Sequence, residues 1–302
     1  MATRAMGPLA GIGWLKNAIN LGRGNPKAVF GGAAILLGSA LLPTALTLPL
    51  QMGLDPGIAG LVAIMAVSLL ASLLMVPLMG GYLRLIDAAE NGRPARAGDV
   101  FCAYRPGGGA LRLIGFALAM LVVYLVAVAA IIAVAGTGIL SWYLQAITAS
   151  QQGGADPAAL QPLPEGLGLA VALGSVLWLF MSGMYAIGFC QVSLGRRGAL
   201  AALGDGVVGS LKNLLPLLVM ALAALVAMLV LGIVLVLMAM LLGLLAKLGG
   251  AWLLAVIAIP LYLAFLLGLY VVLFGVIYHL WRDVCGGGDG GALPAPLAEV
   301  TA

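Results

Sequence analysis

His279 and Asp283 are the one pair whose spacing suggests acid–base work. Four apart, they share a helical face, where a carboxylate could orient an imidazole for acyl or phosphoryl transfer. The competing reading is physical rather than chemical: beside Trp281, at the end of a long apolar run, His279 and Arg282 would snorkel toward lipid headgroups. That reading is favoured, because no second acid, nucleophile or metal-ligand cluster lies near them in the sequence. Cys102, Cys190 and Cys285 are odd in number and contain no CxxC, which points to small free thiols. Asp205-Gly206 and Gly107-Gly108-Gly109 are turn sequence: neither joins a strand to a helix, and neither leads into Lys-Ser/Thr.

Charge is the second candidate. Residues Tyr82 to Arg112 carry Arg84, Asp87, Glu90, Arg93, Arg96, Asp99, Arg105 and Arg112, a third of the 24 charged residues in the chain. A charge recurs every third residue from Arg84 to Asp99; before Pro94 this reads as a helix leaving the membrane, with Glu90 and Arg93 as an i,i+3 pair, ended by Asn91-Gly92-Arg93-Pro94. Arg93, Arg96, Arg105 and Arg112, with Arg196 and Arg197 from a later loop, are the candidate contacts to anionic lipid or to a partner protein.

These residues must be positioned by elements that sit in hydrocarbon. Hydrophobic residues make up 64% of the chain and charged residues 8%, a composition that cannot build a water-facing surface. The apolar runs are rich in Leu, Ala and Val without period-two alternation, so the class is all-α and polytopic rather than a barrel. The net charge of +4 does not indicate nucleic acid, because the basic residues are scattered between apolar runs rather than gathered on one soluble face.

Six spans are expected, at about 28–50, 58–83, 111–135, 166–194, 214–246 and 251–281, in one membrane domain covering 1–285. Pro8 to Leu21 reads as a short interfacial helix with Leu9, Ile12, Leu15 and Ile19 toward the acyl chains. A second short helix is expected over Leu200–Asn213. Pro43, Pro77, Pro216 and Pro260 are candidate helix breaks. Ser68 with Ser72, and Gly174, Gly183 and Gly188, mark expected close helix contacts. Ile139 to Ala149 either extends the third span or bends into the interface. Gln51–Gly57 and Gln151–Glu165 read as external loops, and 286–302 as a disordered tail.

Thirteen of the fourteen Lys and Arg residues fall on one side of this arrangement and Lys247 alone on the other, which predicts both termini in the cytoplasm. Three segments approach lipid alike: a short polar helix, then a break (Asn25-Pro26, Tyr104-Arg105-Pro106, Asn213 to Pro216), then two spans. The pattern predicts three hairpins.

Val76-Pro77-Leu78-Met79-Gly80-Gly81-Tyr82, Asp87 to Pro94 and Asp99-Val100-Phe101 resemble a family of bacterial polytopic inner-membrane proteins known by a locus-tag name. Trp14-Leu15 and Tyr278 to Asp283 resemble its ends. More remotely, the hairpin layout is similar to the membrane domain fused to some glycerophosphodiester phosphodiesterases, whose catalytic domain has no counterpart here. The resemblance implies a bacterial inner membrane and no activity. The expectation is a non-catalytic accessory or structural module without cofactor, whose partners are membrane lipids, another membrane protein or a second copy. The alternative is a permease or lipid-handling protein for an apolar or neutral substrate.

Overall fold

The computed structural model describes residues 3–53, 58–136, 138–151 and 164–286. The expected tail beyond Gly286, and most of the two expected external loops, lie outside them. Among the described residues, ten α-helices and one 3-10 segment follow in order: α1 Ala10–Ile19, α2 Pro26–Ser39, α3 Leu42–Gly53, α4 Ile58–Glu90, the 3-10 segment Ala97–Tyr104, α5 Ala110–Ala135, α6 Gly138–Gln151, α7 Leu167–Ser193, α8 Ala199–Lys212, α9 Leu214–Gly249 and α10 Ala251–Cys285. Among the described residues, six stretches are long and apolar enough to cross a membrane: Pro26–Gly53, Ala59–Glu90, Ala110–Ala135, Leu167–Ser193, Leu214–Leu244 and Val256–Cys285. The protein is therefore an all-α, multi-pass integral membrane protein.

Several boundaries depart from expectation for local reasons. The first span is two helices, broken at Ala40–Leu41, because the Pro43 ring would clash with the carbonyl one turn earlier. Pro43 and Pro216 fall in the first turns of α3 and α9, where a missing N–H leaves no intrahelical bond unmade. Pro77 and Pro260 lie inside α4 and α10. Gly136, at φ 103°, ends α5, so Gly138–Gln151 is a separate helix rather than a continuation. Gly183 and Gly188 meet neighbouring side chains closely, as expected, but Gly174 has open space around it. Ser72 is exposed and donates to Ser68 O on its own helix, so no helix uses that pair for a close approach.

The three hairpins are present, and each is tied to the next in the same way. α4, α7 and α10 touch one another at the centre, while α2/α3, α5 and α9 lie outside them. Each central helix also touches the outer helix of the following hairpin: α4 with α5, α7 with α9, α10 with α2. Each short helix lies over the hairpin before it rather than the one it introduces. The 3-10 segment packs on α2 and α4, α8 on α5 and α7, and α1 closes the circle on α9 and α10. The result is a quasi-threefold ring.

A glycine in each central helix permits these approaches. A methyl group at Gly81 would collide with the Val100 carbonyl of the 3-10 segment. At Gly188 it would lie 2.6 Å from the Phe116 ring and 3.1 Å from Ala202 O of α8, and at Gly275 it would lie 3.0 Å from Ala18 Cα of α1.

Buried residues gather at the end of the bundle that carries the charge, called here the basic end. They run over Leu78–Ile86 of α4, Met181–Ser193 of α7 and Val271–Cys285 of α10, and include Tyr82, Phe116, Phe189, Phe274 and Tyr278. Toward the other end, none of the described side chains in 59–70, 167–180 or 252–270 is buried. Burial is dense at one end and sparse at the other, although α5 and α7 still meet there, where Gly166 lies against the Ala135 carbonyl.

Candidate functional site

Three side-chain latches, one per repeat, close the ring at the basic end. Each starts where a hairpin begins and ends on the backbone leading into the next short helix. Asn25, the N-cap of α2, accepts from Ala28 N and donates through Nδ2 to Ala95 O at 3.1 Å. Arg112, in the first turn of α5, donates to Arg196 O at 2.8 Å. Asn213, before α9, donates to Arg4 O at 2.9 Å, while its Oδ1 accepts from Met6 N at 2.8 Å.

The expected arginines divide by what their heads do. Arg93 pairs with Asp87, not with Glu90 as the i,i+3 spacing suggested. The chain turns at Asn91-Gly92 and folds Arg93 back onto α4. Asp87 also accepts from Asn91 Nδ2 at 2.9 Å and from the Tyr278 hydroxyl at 3.1 Å, so one carboxylate joins α4, the connector and α10. The Arg282 guanidinium lies 5.6 Å from the Tyr278 ring centre. Arg197 binds Asp205 at 3.0 Å; that hydrogen bond and charge raise its pKa above the ordinary arginine value. Arg112 is held by its latch. The backbone N–H of Arg96 is bound by Asp99 at 2.8 Å and the Arg196 carbonyl by Arg112. Among the described residues, the guanidinium groups of Arg96, Arg105 and Arg196 make no hydrogen bond or ion pair. They are the cations of the candidate set left for an outside ligand.

His279 does not snorkel. It is 2% exposed, and neither ring nitrogen has a hydrogen-bond partner. The reason is α1, which lies against this part of α10 rather than wholly in the interface. Leu9, Ile12 and Ile19 face outward as expected and Leu15 is half-buried, but Trp14 is fully buried on the opposite side and donates to Asp283 at 2.9 Å. Asp283 thus orients an indole, not the imidazole. Gln191 is fully buried, with its side chain beside the Cys285 thiol. Some span hydroxyls turn back on their own helices, as with Ser39 to Ile35 O, Ser175 to Val171 O and Ser182 to Leu179 O, while Ser193 and Tyr82 cross to Gly80 O and Val29 O of neighbouring helices.

Cys102 is half-buried and Cys190 and Cys285 are buried, all three as free thiols. Among the described residues, no three His, Cys, Asp or Glu side chains come together as metal ligands would. Sequence reasoning named the latch residues, Asn25 and Asn213 in the breaks and Arg112 as a candidate contact, but not the bonds they make; only Asn25-Pro26, an N-cap followed by proline, signalled its local role.

No family model matches the chain, and no curated protein or solved structure is similar to it. The ring, the three latches and the six spans are accordingly what place it: it is an integral membrane protein of six apolar spans.

Proposed function

We propose that the chain is a non-catalytic accessory or structural module of a bacterial inner membrane, with its basic end and both termini in the cytoplasm. In this reading the basic end contacts anionic lipid headgroups or another membrane protein. The carrying observation is the division of the arginines. Arg93, Arg112 and Arg197 are bound within a rigid ring, while Arg96, Arg105 and Arg196 project from it with no internal partner. A fixed scaffold presenting uncommitted guanidinium groups suits phosphate or carboxylate recognition. The charge asymmetry supports the orientation.

Reversing Arg96, Arg105 and Arg196 together to Glu should strip anionic lipid or a co-purifying membrane protein from the chain in mild detergent. An unchanged set of co-purifying lipids and proteins refutes the module. Orientation is tested separately, by single cysteines at Arg96 or Lys247 in a background with the native cysteines removed. Lys247→Cys should react with an impermeant maleimide on intact cells and Arg96→Cys only after lysis.

One observation favours a second reading, a permease or lipid-handling protein for an apolar or neutral substrate. Side-chain burial is sparse away from the basic end, where no described side chain in 167–180 or 252–270 is buried. Uptake of such a solute into proteoliposomes, lost when those ends of α7 and α10 are cross-linked, would support it.

A further inference from the structure

A groove of about 350 Å³ opens between α3, α4 and the 3-10 segment, within the size range of ligand pockets. It lies between two helix discontinuities, the break at Ala40–Leu41 and Pro77 in α4. Its walls are chiefly Leu42, Leu46, Leu74 and Leu78, with Phe101 and Tyr104 covering it from the basic end. Tyr104 is fixed there by donating its hydroxyl to Leu74 O, next to the carbonyl that the Pro77 ring leaves without its usual donor. Leu42, Leu46, Leu74, Phe101 and Tyr104 are each between 43% and 59% exposed, so the groove opens sideways to whatever surrounds the bundle. From Ala71 to Leu78 it follows α4 for roughly 10 Å at 1.5 Å per residue, toward mid-bilayer. At its basic end the next residue after Tyr104 is Arg105, exposed and without an internal partner.

We infer that this groove holds one acyl chain of an anionic glycerophospholipid from the leaflet at the basic end, with the lipid phosphate on the Arg105 guanidinium. Shape and charge lead to the same occupant. The walls offer almost nothing polar, which suits a hydrocarbon chain, while the residue that follows Tyr104 at its basic end carries a cation whose planar fork matches phosphate. The groove starts at headgroup depth beside the charged connector and runs inward, the course of a lipid tail. The inference rests on the basic-end reading above and adds to it a defined site and a lipid class.

The test uses the purified full chain, stripped of lipid in mild detergent, and native mass spectrometry with added phosphatidylglycerol, phosphatidylcholine or oleate. One phosphatidylglycerol should remain bound at activation energies that remove the others. Arg105→Gln should weaken its retention roughly tenfold, the loss of one charge-assisted contact. Leu46→Trp, at the groove edge where it can be accommodated, should remove retention of every headgroup. Lys247→Gln, which deletes a cation at the far end, should change nothing. Equal retention of phosphatidylcholine, or stronger retention of oleate, overturns the headgroup assignment. Indifference to both Arg105→Gln and Leu46→Trp overturns the site. If the site fails while the triple Arg96, Arg105 and Arg196 reversal still strips anionic lipid, the basic-end reading survives. If neither variant set affects lipid or protein partners, both fall.

Discussion

Gly81→Ala tests the ring at its tightest contact. Alanine is favoured over glycine in a helix by about 1 kcal/mol, so an uncrowded site would gain stability. At Gly81 the added methyl meets a backbone carbonyl, that of Val100, which cannot rotate aside as a side chain could. Overpacking of this kind costs about 1–3 kcal/mol. If the 3-10 segment lifts instead, it gives up the burial of Val100, about 1.5–3 kcal/mol, and the Tyr104–Leu74 hydrogen bond, about 1 kcal/mol. After the helix-propensity gain, a net loss of about 2 kcal/mol remains, which lowers the melting temperature by roughly 5 °C. A thiol-reactive dye reads this directly, because Cys190 and Cys285 are buried and report global opening. Cys102 lies in the segment that must move, so its labelling should rise below the melting transition. Gly188→Ala should lose less and Gly275→Ala least, following the clearances, and Gly174→Ala should be neutral or slightly stabilising. A Gly81→Ala protein that melts at or above the parent, with Cys102 labelled at the parent rate, would refute the account.

Asn213→Ala removes the bonds to Met6 N and Arg4 O, costing about 2 kcal/mol, and should expose the bond after Arg4 to limited trypsin cleavage. Trp14→Phe keeps most of the buried ring but leaves the Asp283 carboxylate without its donor, so α1 should detach at a lower temperature than in the parent; unchanged hydrogen exchange in α1 would contradict this. The Arg197–Asp205 pair should give no pH dependence across about pH 6 to 9. A guanidinium raised in the fold loses its contribution only as pH rises beyond the ordinary arginine range, far above that window, so a melting curve that moves there must have another source.

Spans were legible because lipid enforces them: long uncharged runs have one stable backbone solution in hydrocarbon, and the resulting six agree with expectation within a few residues at most ends. The hairpins were legible through their repeated polar lead-in. Their closure was not, because Ala95 O, Arg196 O and Arg4 O are backbone acceptors that any residue supplies. Depth at His279 depended on a neighbour about 270 positions away along the chain, α1, whose outward leucine and isoleucines were visible while the partner of Trp14 was not. Arg93 was assigned to Glu90 by helical spacing, but the helix ends at Glu90 and the turn delivers it to Asp87.

Because α1 seats on the last hairpin, the order of synthesis matters to assembly. The ribosome delivers Trp14 before any of α10 exists, so its indole waits at the bilayer edge until Asp283 emerges. The first two hairpins receive their covers as the chain lengthens, whereas the third depends on one made at the outset. A chain halted before α10 would keep two covered hairpins and an idle α1, a state that quality-control proteases could distinguish from the finished ring.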